Sequence, residues 1–194
     1  MTALGPIIEQ APLQDRDLLQ RLSQYFDGVE QRLRSGEGWL IFNARAARSR
    51  RISSYIEAQL AARKPPIPYL MMPWRDFAIS AYVTEVGLIE LAPESGANEV
   101  VKREFDLAAR VTADTWAAVN DVDLLVIDGL RPKHRHEAEV LDRTLEQRHE
   151  GRRPTIVLTP EMPHQLANAV GEAAWSACWE RVCGRIYERS LVAI

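Results

Sequence analysis

Two short stretches of this chain carry side chains that could do chemistry. The first reads Asn43-Ala44-Arg45-Ala46-Ala47-Arg48-Ser49-Arg50-Arg51 and follows the apolar run Trp39-Leu40-Ile41-Phe42. Its arginines, Arg45, Arg48, Arg50 and Arg51, crowd the start of what reads as a helix. Clustered guanidinium groups at a helix N-terminus suit an oxyanion, either a bound phosphate or the backbone of DNA. The paired Arg152-Arg153 is a candidate to join that surface. The second stretch, Leu124-Leu125-Val126-Ile127-Asp128, ends in a carboxylate. Such a group either ligates magnesium or hydrogen-bonds the amides of neighbouring loops.

Other reactive residue types read as structural. Lys133-His134-Arg135-His136 holds two imidazoles, with His149 and His164 elsewhere. A metal centre needs three or four convergent ligands, so this segment reads as a solvated helix start and no metal is expected. Cys178 and Cys183 are too few and too close for a disulfide framework, which fits a reducing cytoplasm. No Ser-His-Asp or Cys-His arrangement stands out. Trp74, Trp116, Trp175 and Trp179 lie on helical stretches and read as packing residues. Trp175 and Trp179 share a helix face, a candidate contact for a partner.

The elements that must position these residues follow from periodicity. Leu18, Leu19, Leu22, Tyr25, Phe26, Val29 and Leu33 recur at helical steps, predicting one helix over residues 15–33. Ser35-Gly36-Glu37-Gly38 ends it. That stripe either docks on its own core or offers Leu22 and Phe26 to another protein. Short apolar runs at 39–42, 68–72, 124–128 and 155–159 read as strands buried on both faces, with a final strand at 185–192. Helices are expected over 52–63, 73–83, 99–119, 138–148 and 163–181, and an irregular stretch over 85–98. Within 99–119 the candidate buried positions are Val100, Phe105, Leu107, Ala108, Val111 and Trp116. Strands alternating with helices predict an α/β fold with a mostly parallel sheet covered on both sides. The organisation expected is a helical extension at 1–36 and an α/β core at 37–194.

Composition narrows the function classes. The chain has 194 residues, 46% of them hydrophobic, which excludes disordered and low-complexity proteins. Its formal net charge is −3, so no bulk basic field draws it to nucleic acid, and any DNA contact must be a local patch. No window approaches the length of a transmembrane helix, and no signal peptide opens the chain.

Asp121-Val122-Asp123-Leu124-Leu125-Val126-Ile127-Asp128, a following helix, and Arg153-Pro154-Thr155-Ile156-Val157-Leu158-Thr159 resemble the AAA+ core of bacterial helicase loaders (DnaC/DnaI) and of IstB-like transposition ATPases. The DnaA/Hda initiators are near relatives. The resemblance is carried mainly by residues 110–166 and extends more weakly back to Gly38. It implies a three-layer, P-loop NTPase-like domain with a five-stranded sheet, and this chain leaves no room for a separate helical lid.

The same resemblance places a phosphate loop at residues 43–50. Asn43 and Arg48 then take the glycine places, Ser49 the lysine place and Arg50 the Ser/Thr place. Asp128 remains as the magnesium-side carboxylate, but Gly129 stands where its acidic neighbour belongs, and Ala177 where loaders place an arginine finger. Without the glycines and the lysine, the loop loses its open amides and its point charge. The expectation is therefore a pseudo-ATPase without a cofactor, a binding or assembly module in DNA replication, recombination or transposition. Its partners would be an AAA+ relative or replicative helicase, DNA, or a second copy of the chain, with no membrane. Two alternatives stand beside it: an active ATP- and magnesium-dependent loader, and a DNA-backbone-binding protein that uses the arginine loop.

Overall fold

A computed structural model describes residues 13–162, Gln165 and Leu191–Val192. Apart from Gln165, the expected helix at 163–181, with Trp175, Cys178 and Trp179, lies outside the described residues, as do Cys183 and most of the strand at 185–192. The order is α1 (Leu13–Asp27), α2 (Val29–Ser35), β1 (Trp39–Ile41), α3 (Ala46–Ala61), β2 (Tyr69–Pro73) and α4 (Trp74–Tyr82). A π-helical turn (Val83–Gly87), α5 (Leu88–Glu90), α6 (Glu99–Asp121), β3 (Leu124–Asp128), α7 (Arg135–Glu150), β4 (Thr155–Leu158) and β5 (Leu191–Val192) follow.

The strands form one sheet in the order β2-β3-β4-β1-β5, and every neighbouring pair is parallel. Alternate side chains point to opposite faces. Trp39, Ile41, Leu124, Val126, Ile156 and Leu158 meet α1 and α3 on one side. Leu40, Leu125, Ile127 and Val157 meet α4, α7 and the end of α6 on the other. Apolar runs rather than alternating ones were therefore required, because both faces are covered.

The described part of the N-terminal segment packs into this core. Leu22 and Phe26, read as candidate partner contacts, are 0% exposed and pack with Ile52, Tyr55 and Ile56 of α3. Burying each such side chain contributes about 2 kcal/mol, which outweighs presenting it to an outside protein. The single helix expected over 15–33 is divided at Gly28, which caps α2. Gly36 then ends α2 in the left-handed conformation, with φ 68°.

Two further expectations are corrected on the opposite side. Residues 85–98 are not wholly irregular, since the π-helical turn and α5 continue α4. In α6, Val100, Leu107 and Val111 are more than half exposed. The helix is about 35 Å long, and only its C-terminal part reaches the sheet, through Val119 and the partly buried Trp116. There Trp116 meets Phe77 edge-on at 5.3 Å and donates its indole N–H to Thr84 Oγ1 at 2.7 Å.

Candidate functional site

The carboxyl ends of β1, β3 and β4 form one crest, the place where open parallel sheets bind ligands. The chain leaves β1 through a tight loop before α3. Asn43 and Ala46 hold left-handed backbone there, with φ 53° and 43°. Two non-glycine residues thus turn the loop, at about 1 kcal/mol or more for each side chain so placed. The loop amides are engaged within the chain. Asn43 N donates to Glu161 O at 3.1 Å, Ala44 N to Thr159 O at 2.8 Å, and Arg45 N to Asn43 O at 3.1 Å.

Asp128 faces α3 across this crest. Ser49 donates its hydroxyl to Asp128 Oδ1, and Ser53, one turn on, donates to Oδ2 at 3.0 Å. The sequence pointed to loop amides as the partners of this carboxylate, but they are serine hydroxyls. Ser53 was missed because its spacing from Ser49 matters only once α3 is laid against β3. In phosphate-loop enzymes the loop Ser/Thr and this Asp hold magnesium together. Ser49, expected at the lysine place, is the loop residue bonded to Asp128. Thr159, 0% exposed at the end of β4, donates to Leu130 O at 2.9 Å and accepts from Glu161 N. The amides of Asn43, Ala44 and Arg45 are thus engaged by backbone carbonyls, and the Asp128 carboxylate by the Ser49 and Ser53 hydroxyls.

The arginines of the loop do not form one open patch. Arg48, nearly buried, turns away from the crest to Asp15 of α1, with Nε 2.9 Å from Oδ1. Arg51 reaches the other oxygen of Asp15, with Nη2 at 2.5 Å and Nε at 3.1 Å. Arg45 donates to Pro160 O at 2.7 Å and to Gln165 Oε1 at 3.3 Å. Arg50 is exposed. Arg152 and Arg153 precede β4 and so stand at the opposite end of a parallel sheet. Arg153 is engaged there by Asn120 O and Asp121. That pair cannot join the loop surface.

An open groove of about 830 Å³ lies beside the crest, beyond β2 and β3. Trp74, Arg75, Ala78, Ile79 and Tyr82 of α4 line it together with Asp128, Arg131, Lys133, His134, His136 and Glu137. His134 and His136 stack with ring centroids 5.5 Å apart, and Tyr82 lies 5.9 Å from His136. Arg131 pairs with Glu161 at 2.7 Å. Glu137 accepts from the amides of Lys133, at 2.6 Å, and His134, which fixes this wall at the start of α7. The sequence reading passed over these residues as a solvated helix start. Their position directly after two strand ends was the signal available.

No three-ligand metal cluster occurs among the described residues, and no described helix is long and apolar enough to cross a membrane. Among solved structures, the chain is similar to one titled "Crystal structure of the DnaC helicase loader", with a TM-score of 0.57 and 13% identity over 88% of each chain. The likeness shows that this chain shares the fold of that structure. No protein-family model matches the sequence, and no curated protein matches it.

Proposed function

We propose that this chain is a non-hydrolysing AAA+-like module that works in DNA replication through a protein partner, as the structurally similar helicase loader suggests. The observation that carries the reading is the closed crest: loop amides bonded to Glu161 and Thr159 carbonyls, and Asp128 bonded to Ser49 and Ser53. A partner surface is supported on α4 to α6. Apart from Tyr69, the exposed large apolar side chains among the described residues fall between Ile79 and Val111. Concentrated apolar exposure of this kind marks interaction sites. Calorimetric titration with ATP and magnesium is expected to give no saturable binding up to about 1 mM, a binding free energy weaker than about −4 kcal/mol. Phosphate release should stay at background. Micromolar binding with turnover would overturn the proposal and favour the active loader.

A second reading, single-stranded nucleic-acid binding, is favoured by the groove and not by the arginine loop. Rings that can stack on bases lie among Arg75, Arg131 and Lys133. Under this reading, affinity for a short single strand falls steeply with salt. Tyr82→Ala weakens it by about tenfold, while Arg45→Ala and Arg50→Ala leave it nearly unchanged. Fluorescence anisotropy decides the matter, and equal losses in the loop variants would move the site back to the loop.

A further inference from the structure

Helix α1 is tied to α3 at both ends. Arg63 donates to the Phe26 carbonyl at the far end of α1. At the near end, Asp15 takes both Arg48 and Arg51 although it is only 1% exposed. Two cations there share one carboxylate, at the positive end of a 16-residue helix. Arg48 Nη1 reaches Asn43 O at 3.4 Å, and the buried Nη2 has no hydrogen-bond partner among the described residues. The Arg48 guanidinium thus keeps one amino group without an acceptor and is held by an anion that the chain itself provides.

We infer that Asp15 is an internal counter-anion: it withholds from solution an oxyanion site formed by Arg48 and Arg51 at the start of α3, one suited to pyrophosphate. Leu18, Leu19 and Leu22 are buried within one and two turns of Asp15, so the carboxylate cannot swing away while α1 stays packed. An intramolecular anion at such effective concentration excludes a free one. Bidentate guanidinium geometry serves carboxylate and phosphate equally, so the same donors accept an external oxyanion once the carboxylate is neutralised. The inference deepens the non-hydrolysing reading and rests on it, since it names the anion that holds the guanidinium groups of the loop.

The test is thermal unfolding and calorimetry of the wild-type chain, Asp15→Asn, and Asp15→Asn combined with Arg48→Gln and Arg51→Gln. The probe is inorganic pyrophosphate against sodium chloride at matched ionic strength. Asp15→Asn should melt lower than wild type, regain about 5 °C in about 5 mM pyrophosphate, and bind it at least about tenfold more tightly than wild type. The triple variant should lose that response. An Asp15→Asn protein indifferent to pyrophosphate, or a triple variant that keeps the response, overturns the inference. Should Asp15→Asn fail to fold, refolding with and without pyrophosphate decides: recovery only with it supports the inference, and no recovery overturns it. Wild-type binding of ATP would instead sink the non-hydrolysing reading, so the two failures are told apart.

Discussion

Replacing Arg148 with methionine is expected to lower the free energy of unfolding by about 3–5 kcal/mol, a fall of roughly 10 °C in Tm for a chain of this size. The side chain is 1% exposed, yet its donors are matched. Nη1 donates to the carbonyls of Val119 at 2.7 Å, Asn120 at 3.3 Å and Val122 at 3.0 Å. Nη2 donates to Pro154 O at 2.8 Å, and Nε to Thr155 Oγ1 at 3.0 Å. These carbonyls end α6 and precede β4, so one guanidinium closes the base of the sheet on two elements. Carbonyls at a helix C-terminus have no partners within the helix and carry its negative end. Burial pushes the Arg148 pKa down to about 10, the neighbouring Arg153 adds to that, and Asp123 and Asp121 oppose it, so the group stays charged at pH 7. Methionine fills similar space but takes the Arg148 donor from the carbonyls of Val119 and Val122 and from the Thr155 hydroxyl, while Asn120 O keeps Arg153 and Pro154 O keeps the Leu125 amide. Lysine should restore little, because an ammonium cannot match the planar fork. Urea unfolding with an unchanged m-value measures the loss, and a loss below about 1 kcal/mol would show that water replaces the donors.

The Gly38→Ala change is expected to cost about 3 kcal/mol or more, above the usual range for an added methyl in a packed core. A Cβ at that position would lie 2.3 Å from the Thr155 carbonyl oxygen, a backbone atom that cannot step aside. Just beyond, Trp39 pairs with Ile156, so relief requires β1 and β4 to part at their first rung. The crest depends on the same pair of strands, because loop amides after β1 bond carbonyls after β4. Gly129→Ala is the informative contrast. Its φ is 80°, but nothing lies within 4 Å of an added Cβ, so only the conformational cost of about 1–2 kcal/mol remains. A Gly38→Ala loss no larger than that of Gly129→Ala, by the same unfolding measurement, would remove the close strand approach as its cause.

Taken with the sheet topology, these contacts describe a crest that folds on itself and a neighbouring groove that stays open. The loop that resembles a phosphate cradle keeps its curvature through Asn43 and Ala46 but bonds its amides inward. Beside it, Tyr82 and the His134–His136 stack remain available at the surface. Exposed large apolar side chains lie from α4 to α6, while Arg48 and Arg51 of the loop are held by Asp15.

The sequence by itself determined the strands and the covered sheet, because four- and five-residue apolar runs between amphipathic helices are stable only when both faces are buried. It also located Asp128 and the loop at residues 43–50, since local order places both directly after a strand. It did not determine which way a side chain turns at those places. Arg48 was legible as a cation near an expected phosphate, but its tie to Asp15 joins residues far apart in the chain, through α1 packing on α3. Leu22 and Phe26 carried the right periodicity for either a core face or a partner face, and periodicity alone cannot distinguish them. In α6 the stripe of Val100, Leu107 and Val111 had helical spacing and still faces outward. Only the tertiary structure decided these points, because a helix has one apolar face to read but several neighbours that could cover it, and the choice among neighbours is made by contacts remote in sequence.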